Sequence, residues 1–226
     1  MASDYYIDLQ QVSLQRFRQM LEAKELLPSR QILREGLDER FRTLEGMGIG
    51  DVQALADALK TKRHVAQLAE ESGLPEEYLT ILRREVNSYV PRPINLDKLP
   101  DLAPEHVERL AAVGIKHTRH LYERARTKAE RATLAQETWI AAEALLEMVQ
   151  LADLARIVGV GRVFARFLYD AGIHTVADFV TESPEALLER LQAAELEKYT
   201  RVTLRVEDLE YCLEMARLLP QGIKYK

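Results

Sequence analysis

The sequence has few of the residues that cross-link a chain or anchor it in a membrane. It contains one cysteine, Cys212, in 226 residues, which excludes an internal disulfide and a cysteine-based metal cluster. No stretch approaches the roughly 18 consecutive apolar residues of a membrane-spanning helix. The first residues lack a basic region followed by an apolar one, so no signal peptide is expected. These absences predict a soluble, cytoplasmic protein that does not contact a membrane.

Glycine and proline are also scarce. The 10 glycines and 8 prolines leave little room for long coil segments, whereas the abundant alanine, leucine, glutamate and arginine all favour helix. Apolar residues recur at helical spacing along nearly the whole chain. Only residues 199–206 alternate as a strand does, and one short strand cannot form a sheet. The predicted fold class is therefore all-α, with little or no sheet.

An excess of positive charge is missing as well. The formal net charge is −5. Residues 1–92 hold 13 Lys and Arg against 15 Asp and Glu, and the remainder holds 18 against 21. Because neither part is basic, binding to nucleic acid through bulk charge is excluded, and any such binding requires a local patch.

The run Pro91-Arg92-Pro93 cannot continue a helix and predicts a domain boundary. We expect an N-terminal helical domain over residues 1–92 and a C-terminal domain over residues 93–226. In the second domain the longest predicted helix runs from Thr118 to about Met148 and connects its two halves. Trp139 lies among apolar residues of this stretch and is expected to be a packing anchor.

Three segments, residues 41–55, 107–121 and 165–179, align with one another without gaps. The shared positions are Leu44, Gly48, Ile49, Val52 and Leu55; Leu110, Gly114, Ile115, Thr118 and Leu121; and Leu168, Gly172, Ile173, Val176 and Phe179. The first leucine is the last core contact of one helix, and the glycine supplies the left-handed cap that ends it. The isoleucine folds back onto the core, and the last two positions face inward from the next helix. Three copies in register predict a structural repeat.

The third copy, with the residues before it, resembles the helix-hairpin-helix superfamily. It carries the hairpin Gly159-Val160-Gly161, then Ala165 four residues on, then Leu168 and the Gly172-Ile173 cap. The resemblance implies tandem helix-hairpin-helix, SAM-like helical bundles. It also implies that the hairpin amides and the following helix N-terminus bind a nucleic-acid phosphate, as clustered N–H donors at a helix start attract an anion.

The second copy departs from this pattern at its hairpin, residues 99–105. That segment has no glycine, and Asp101 and Glu105 lie where a phosphate would bind. Pro100 and Pro104 also remove N–H donors. We therefore expect this hairpin to be structural, which leaves at most one hairpin of the tandem pair competent for phosphate binding.

The candidate phosphate site lies over residues 156–166. Its predicted members are Arg156, Gly159, Val160, Gly161, Arg162 and Arg166. The three arginines have no acid between them and form a local positive patch. Residues 116–131 are the most basic stretch, and Lys116 and Arg119 could extend a phosphate track from the hairpin. The alternative is that these residues form an ordinary solvated helix face.

The chain as a whole is similar to an uncharacterised bacterial and archaeal family of this class, the domain of unknown function DUF4332. The similarity includes residues 5–9, 27–30 and 78–85. It implies the fold and brings no known activity with it.

Motifs for catalysis are missing from the sequence. It has no nucleophile–base pair, Walker loop, dinucleotide fingerprint or His-Glu-x-x-His motif, so neither an enzyme nor a cofactor is expected. His117 and His120 share a helix face, but no third ligand at convincing spacing suggests a metal.

Two hypotheses stay open. One is a non-catalytic module that binds the DNA or RNA backbone without sequence specificity, favoured by the intact hairpin and its arginines. The other is a protein-interaction scaffold that keeps the fold without the phosphate chemistry, favoured by the acidic total and the degenerate second hairpin. The sequence does not indicate the oligomeric state.

Overall fold

The computed structural model describes residues 4–194 and 204–225, and over these residues the protein is all-helical, as the sequence predicts. Within those ranges no strand forms, and extended backbone pairs at two isolated antiparallel bridges, Ser13 with Asp51 and Asn95 with His117. Most of the alternating segment 199–206 lies outside the described residues. None of the described helices is both long enough and apolar enough to cross a membrane.

The chain divides into two compact units, which we call the N-terminal unit (Asp8–Val90) and the C-terminal unit (Met1–Ile7 with Pro91–Lys226). The N-terminal unit contains α1 (Leu14–Ala23), α2 (Leu37–Gly46), α3 (Val52–Ala58), α4 (Lys62–Ser72) and α5 (Glu76–Ser88). The C-terminal unit contains α6 (Pro104–Ala112), α7 (Thr118–Arg124), α8 (Lys128–Thr138), α9 (Ala142–Leu154), α10 (Arg162–Asp170), α11 (Val176–Thr181), α12 (Pro184–Ala193) and α13 (Val206–Arg217). Short 3-10 helices lie at Leu9–Gln11, Pro28–Arg34 and Leu96–Lys98.

The core of the N-terminal unit forms where α1 packs on α2 and α3, and α5 packs on α3 and α4. Phe17 lies 6.1 Å from Phe41 and 5.4 Å from Tyr89 between ring centroids, and all three rings are buried. Glu85 is fully buried as well, and its carboxylate binds Lys24 at 2.9 Å and also Arg30. These two cations offset the cost of removing the carboxylate from water.

The central helix of the C-terminal unit is α9, which contacts α7, α8 and α10. Its buried residues are Leu145, Met148, Val149, Leu151, Ala152, Asp153 and Leu154. The helices α11 and α12 pack on α13. Since the buried face of α9 extends to its last residue, the turn that follows α9 begins inside the core.

The predicted long connecting helix from Thr118 to Met148 is wrong, because three helices (α7, α8 and α9) occupy this stretch. Thr127 caps α8, its hydroxyl accepting from the Glu130 amide while the Glu130 carboxylate accepts from the Thr127 amide. This capping box starts a new helix inside an otherwise helical pattern. Trp139 ends α8 with a left-handed backbone, φ +55°, and its side chain is 84% exposed, so it is not the expected packing anchor.

The three aligned glycines end their helices in the left-handed conformation, with φ of +84° at Gly48, +85° at Gly114 and +80° at Gly172. In each copy the amide of the isoleucine after the glycine donates to the carbonyl of the leucine five residues before that isoleucine, at 3.2, 2.9 and 2.9 Å respectively. The leucine and isoleucine joined in this way are buried in every copy. The glycine is thus the C′ residue of a Schellman cap in all three copies.

The residue three positions after each glycine caps the next helix with its side chain. Asp51, His117 and Thr175 each accept a hydrogen bond from the amide three residues further on, at 2.8, 3.2 and 3.0 Å respectively. Three different side chains therefore perform the same capping function at equivalent positions.

We expect Gly48→Ala to lower the free energy of unfolding by about 1–2 kcal/mol, because a side chain at positive φ is strained. No atom lies within 4 Å of a β-carbon at this position, so the cost is that of the backbone alone. Gly46→Ala, inside the last turn of α2 and equally open, is the matched control and is expected to be stabilising by about 0.5 kcal/mol. Urea unfolding compares the two variants, and equal midpoints would contradict the assigned cap.

Candidate functional site

The candidate hairpin joins α9 to α10 over residues 155–161. Ile157, Val158 and Val160 are buried, and the Val160 amide donates to the Ile157 carbonyl at 2.9 Å. Gly159 and Gly161 are exposed. The apolar residues thus pack the turn against the core, whereas the backbone at the two glycines is exposed to solvent.

Gly159 has φ +92°, and a β-carbon there would lie 2.9 Å from the Cys212 sulfur of α13. The backbone of the hairpin therefore packs directly against α13 at this residue. A side chain at this position would meet both a strained backbone and an occupied space.

The N-terminus of α10 is the open end of this hairpin. Its N-cap, Gly161, has no side chain to bind the first-turn amides, and the first turn contains no acid. Every other α-helix among the described residues has a side-chain cap or at least one acid in its first turn. Among the described α-helices, α10 is therefore the one whose positive end is compensated by neither a capping side chain nor an acid.

Arg162 adds a formal charge at this end. Its side chain is exposed, and its guanidinium donates to the Lys98 carbonyl at 3.4 Å, a long and weak contact. Lys98 is itself exposed and pairs with Asp97 at 3.0 Å. The hairpin of the third copy is thus adjacent to the segment that begins the second copy.

Arg156 does not lie on this surface, which corrects the predicted site. Its side chain is 1% exposed, and its guanidinium binds the Asp153 carboxylate at 2.8–3.0 Å. It also donates to the carbonyl oxygens of Asp4 and Pro220 and to the Tyr122 hydroxyl, at 2.9, 3.3 and 3.2 Å. A guanidinium with this many internal partners is not available to an external phosphate.

Arg166 is removed from the site for the same reason. It is 8% exposed and forms ion pairs with Asp170, one turn further along α10, and with Glu147 of α9. The structure therefore does not bring the three predicted arginines together on one open surface, and Arg162 alone remains beside the glycines.

The buried Arg156 belongs to a polar network inside the C-terminal unit. The Tyr225 hydroxyl donates to the second carboxylate oxygen of Asp153 at 2.9 Å, and the hydroxyls of Tyr5 and Thr118 lie 2.6 Å apart. Burial raises the pKa of Tyr5 to about 12, and burial together with the nearby Asp153 raises the pKa of Tyr225. Both phenols stay protonated near neutral pH and serve as hydrogen-bonding groups of the core.

The basic stretch over residues 116–131 is also largely committed to internal contacts. Arg119 pairs with Glu123 at 2.7 Å and lies over the Tyr6 ring, and Arg126 binds Asp4. The further pairs in this stretch are Arg124 with Glu137 and Arg131 with the carbonyls of Ala125 and Lys224. Lys116 is exposed. A continuous phosphate track is not formed here.

Two of the ion pairs that remove arginines from the candidate site could be expected from the sequence. Asp153 and Arg156 are three residues apart, and Arg166 and Asp170 are four apart, spacings that favour ion pairs on a helix. The contact of Arg156 with Asp4 has no such signal, because the two residues are 152 positions apart.

A shallow groove of about 290 Å³ lies beside Trp139, a feature that the sequence reading missed. Its lining residues are Arg109, Ala112, Val113, Glu137, Thr138 and Trp139. The Arg109 guanidinium donates to the Trp139 carbonyl at 2.5 Å and so holds the left-handed turn in place. Among the described residues, no group of three or more acidic, histidine or cysteine side chains could hold a metal ion.

Comparison with protein-family models matches residues 100–216 to a domain of unknown function, DUF4332. The match runs from the second-copy hairpin to the end of α13 and includes the candidate hairpin. Neither the curated proteins nor the solved structures give a significant match.

We expect Arg156→Met to lower the free energy of unfolding by about 3–5 kcal/mol, because it leaves the buried Asp153 charge without its cation. Arg162→Met, the matched change at the exposed end of the hairpin, should alter it by less than about 0.5 kcal/mol. Urea unfolding of the two variants gives the comparison. Equal small effects would mean that Arg156 is not held in the core.

Proposed function

The chain belongs to the family of the domain of unknown function DUF4332, and we propose that it is a non-catalytic helix-hairpin-helix protein that binds the phosphate backbone of nucleic acid. The proposed site is the N-terminal end of α10, with the exposed Gly159 and Gly161 and the side chain of Arg162. Arg156 and Arg166 are not part of it.

The observation that carries this proposal is the uncompensated N-terminus of α10. The free amides and dipole of a helix start attract an anion, and a capping side chain or a first-turn acid normally satisfies them. At α10 neither is present, and an exposed arginine stands at the first helical position. Gly161 has open space where a β-carbon would lie, so a phosphate can approach the backbone closely at this residue.

The tandem arrangement is part of the proposal. The pairs α6–α7 and α10–α11 each turn at a Schellman cap, and α8 and α9 connect them. In the second copy the equivalent hairpin contains Asp101, with φ +58°, and Glu105 in the first turn of α6. Carboxylates there repel a phosphate, so we assign that hairpin a structural role.

One hairpin with one arginine sets the expected strength of binding. Contacts to one or two phosphates give a logarithmic salt slope of about −1 to −2, and a dissociation constant on the order of 10⁻⁴ M at physiological salt. Contacts to phosphate carry no sequence information, so we expect no preference among sequences.

Gly161→Asp tests the site with a change that should not harm the fold. The residue has extended backbone and open space around a β-carbon, so an aspartate can cap α10 and is expected to stabilise it by about 0.5 kcal/mol. The same carboxylate occupies the proposed phosphate position, so binding of short labelled DNA and RNA, measured by anisotropy at low salt, should be lost.

Gly50→Asp is the matched control, since it makes the same change at another open glycine, in the N-terminal unit. It should leave binding within about twofold of the unsubstituted protein. Arg162→Glu should abolish binding, whereas Arg84→Glu, at an exposed arginine of α5, should not. Absence of binding to any nucleic acid at low salt, or equal loss in all four variants, would refute the proposal.

The second candidate, a protein-interaction scaffold, is favoured by one observation. Trp139, the single tryptophan, is 84% exposed beside Arg109, and these two residue types dominate the binding energy of protein interfaces. If this function is the correct one, Trp139→Ser should keep the stability of the protein and lose a stoichiometric partner that Gly161→Asp retains. Affinity capture with both variants, followed by quantitative mass spectrometry, separates the two functions.

A further inference from the structure

The equivalent caps of the three copies differ in one chemical property. The first and third copies cap the helix with a carboxylate and a hydroxyl, Asp51 and Thr175, whereas the second copy uses an imidazole, the side chain whose ordinary pKa lies between pH 5 and pH 8. His117 is this imidazole cap, and it is also one half of the bridge to Asn95.

The hydrogen bonds around His117 define the tautomer of its neutral ring. The His120 amide donates to His117 Nδ1 at 3.2 Å, and the Lys116 amide donates to His120 Nδ1 at 3.4 Å. Because both Nδ1 atoms accept, each neutral ring carries its proton on Nε2. The two rings stack at 3.5 Å between centroids, so a second positive charge on the pair would lie very close to the first.

The surrounding charges also oppose a cation at this position. Burial, His120 and Arg119 lower the pKa of His117, and Glu123 opposes them in part. Lys116 precedes the cap, and the positive end of α7 points toward it. The facing residue Asn95 is uncharged, and Asp97 on the same segment is paired with Lys98.

We propose that His117 is a pH-sensitive N-cap of α7, which stabilises the α6–α7 turn when the imidazole is neutral and is lost when the imidazole is protonated. A proton on Nδ1 removes the acceptor of the α7 cap and turns its N–H toward the His120 amide. Loss of this cap also weakens the two backbone hydrogen bonds on either side of His117. In these bonds the Leu96 amide donates to the Lys116 carbonyl and the Thr118 amide donates to the Ile94 carbonyl. The loosened segment leads directly to Lys98, the neighbour of Arg162.

The sign of the effect follows from the lowered pKa of His117 in the folded protein. The unfolded chain binds a proton at this residue near the ordinary value of 6.5, and the folded chain resists it until lower pH. The stabilising contribution of the cap is therefore complete above about pH 6.5, and it is lost as the pH falls from there through the folded pKa.

Substitution by the residues of the other two copies tests this proposal. His117→Asp and His117→Thr keep a side-chain cap at both pH 7.5 and pH 5.5. Between these two pH values, we expect the melting temperature of the unsubstituted protein to fall by about 3 °C more than that of either variant. His106→Asn, at a histidine of α6 outside the pair, should keep the full pH dependence. If His117→Asp retains the same pH dependence as the unsubstituted protein, the proposal is overturned.

A local measurement separates this device from general acid destabilisation. Hydrogen exchange of the His120, Thr118 and Leu96 amides should accelerate at least fivefold relative to the intrinsic rate as the pH falls from 7.5 to 5.5. Over the same range the Ala54 and Asp178 amides, bound to Asp51 and Thr175, should keep their protection. Equal protection of all five amides at both pH values would refute the proposal.

Discussion

The buried ion pair of Arg156 and Asp153 joins parts of the C-terminal unit that are far apart in the sequence. The guanidinium binds the carbonyls of Asp4 and Pro220, and the carboxylate accepts from the hydroxyl of Tyr225. A buried charge is tolerated only while its partners remain in place. The two ends of the described chain and the start of the hairpin are therefore held by one set of mutually dependent contacts.

This constraint also determines what the hairpin can offer to a ligand. Arg156 immediately precedes the apolar turn, and its guanidinium is paired with the Asp153 carboxylate inside the core. Arg166 forms an ion pair that joins α10 to Glu147 of α9. The positive character that remains at the hairpin comes from the backbone of α10 and from Arg162, which suits contact with a single phosphate better than a broad electrostatic surface.

The repeated unit conserves a backbone geometry while its capping chemistry varies. A helix N-cap needs one acceptor at the correct distance, and a carboxylate, a hydroxyl or a neutral imidazole each provides one. The fold is therefore indifferent to the choice at neutral pH. The choice becomes important just below neutral pH, where an imidazole such as that of His117 can bind a proton on Nδ1 and so lose its acceptor.

The all-helical class and the glycine caps could be predicted because they depend on residues close in sequence. A Schellman cap spans six residues, so the register of Leu44, Gly48 and Ile49 already contains the interaction that the structure displays. The division of the 118–148 stretch was missed, although the capping box of Thr127 and Glu130 is equally local, because the apolar pattern continues through it.

The sequence by itself thus determined the all-helical class, the glycine turns that end the three repeated helices, and the presence of a glycine hairpin. The tertiary structure alone decided which arginines face solvent and that Trp139 is exposed. The physical reason is that burial of a charge depends on partners brought together by folding, and those of Arg156 lie at positions 4, 122 and 220. Local spacing indicates where a charge can be paired, but only the packed chain determines whether it is also removed from water.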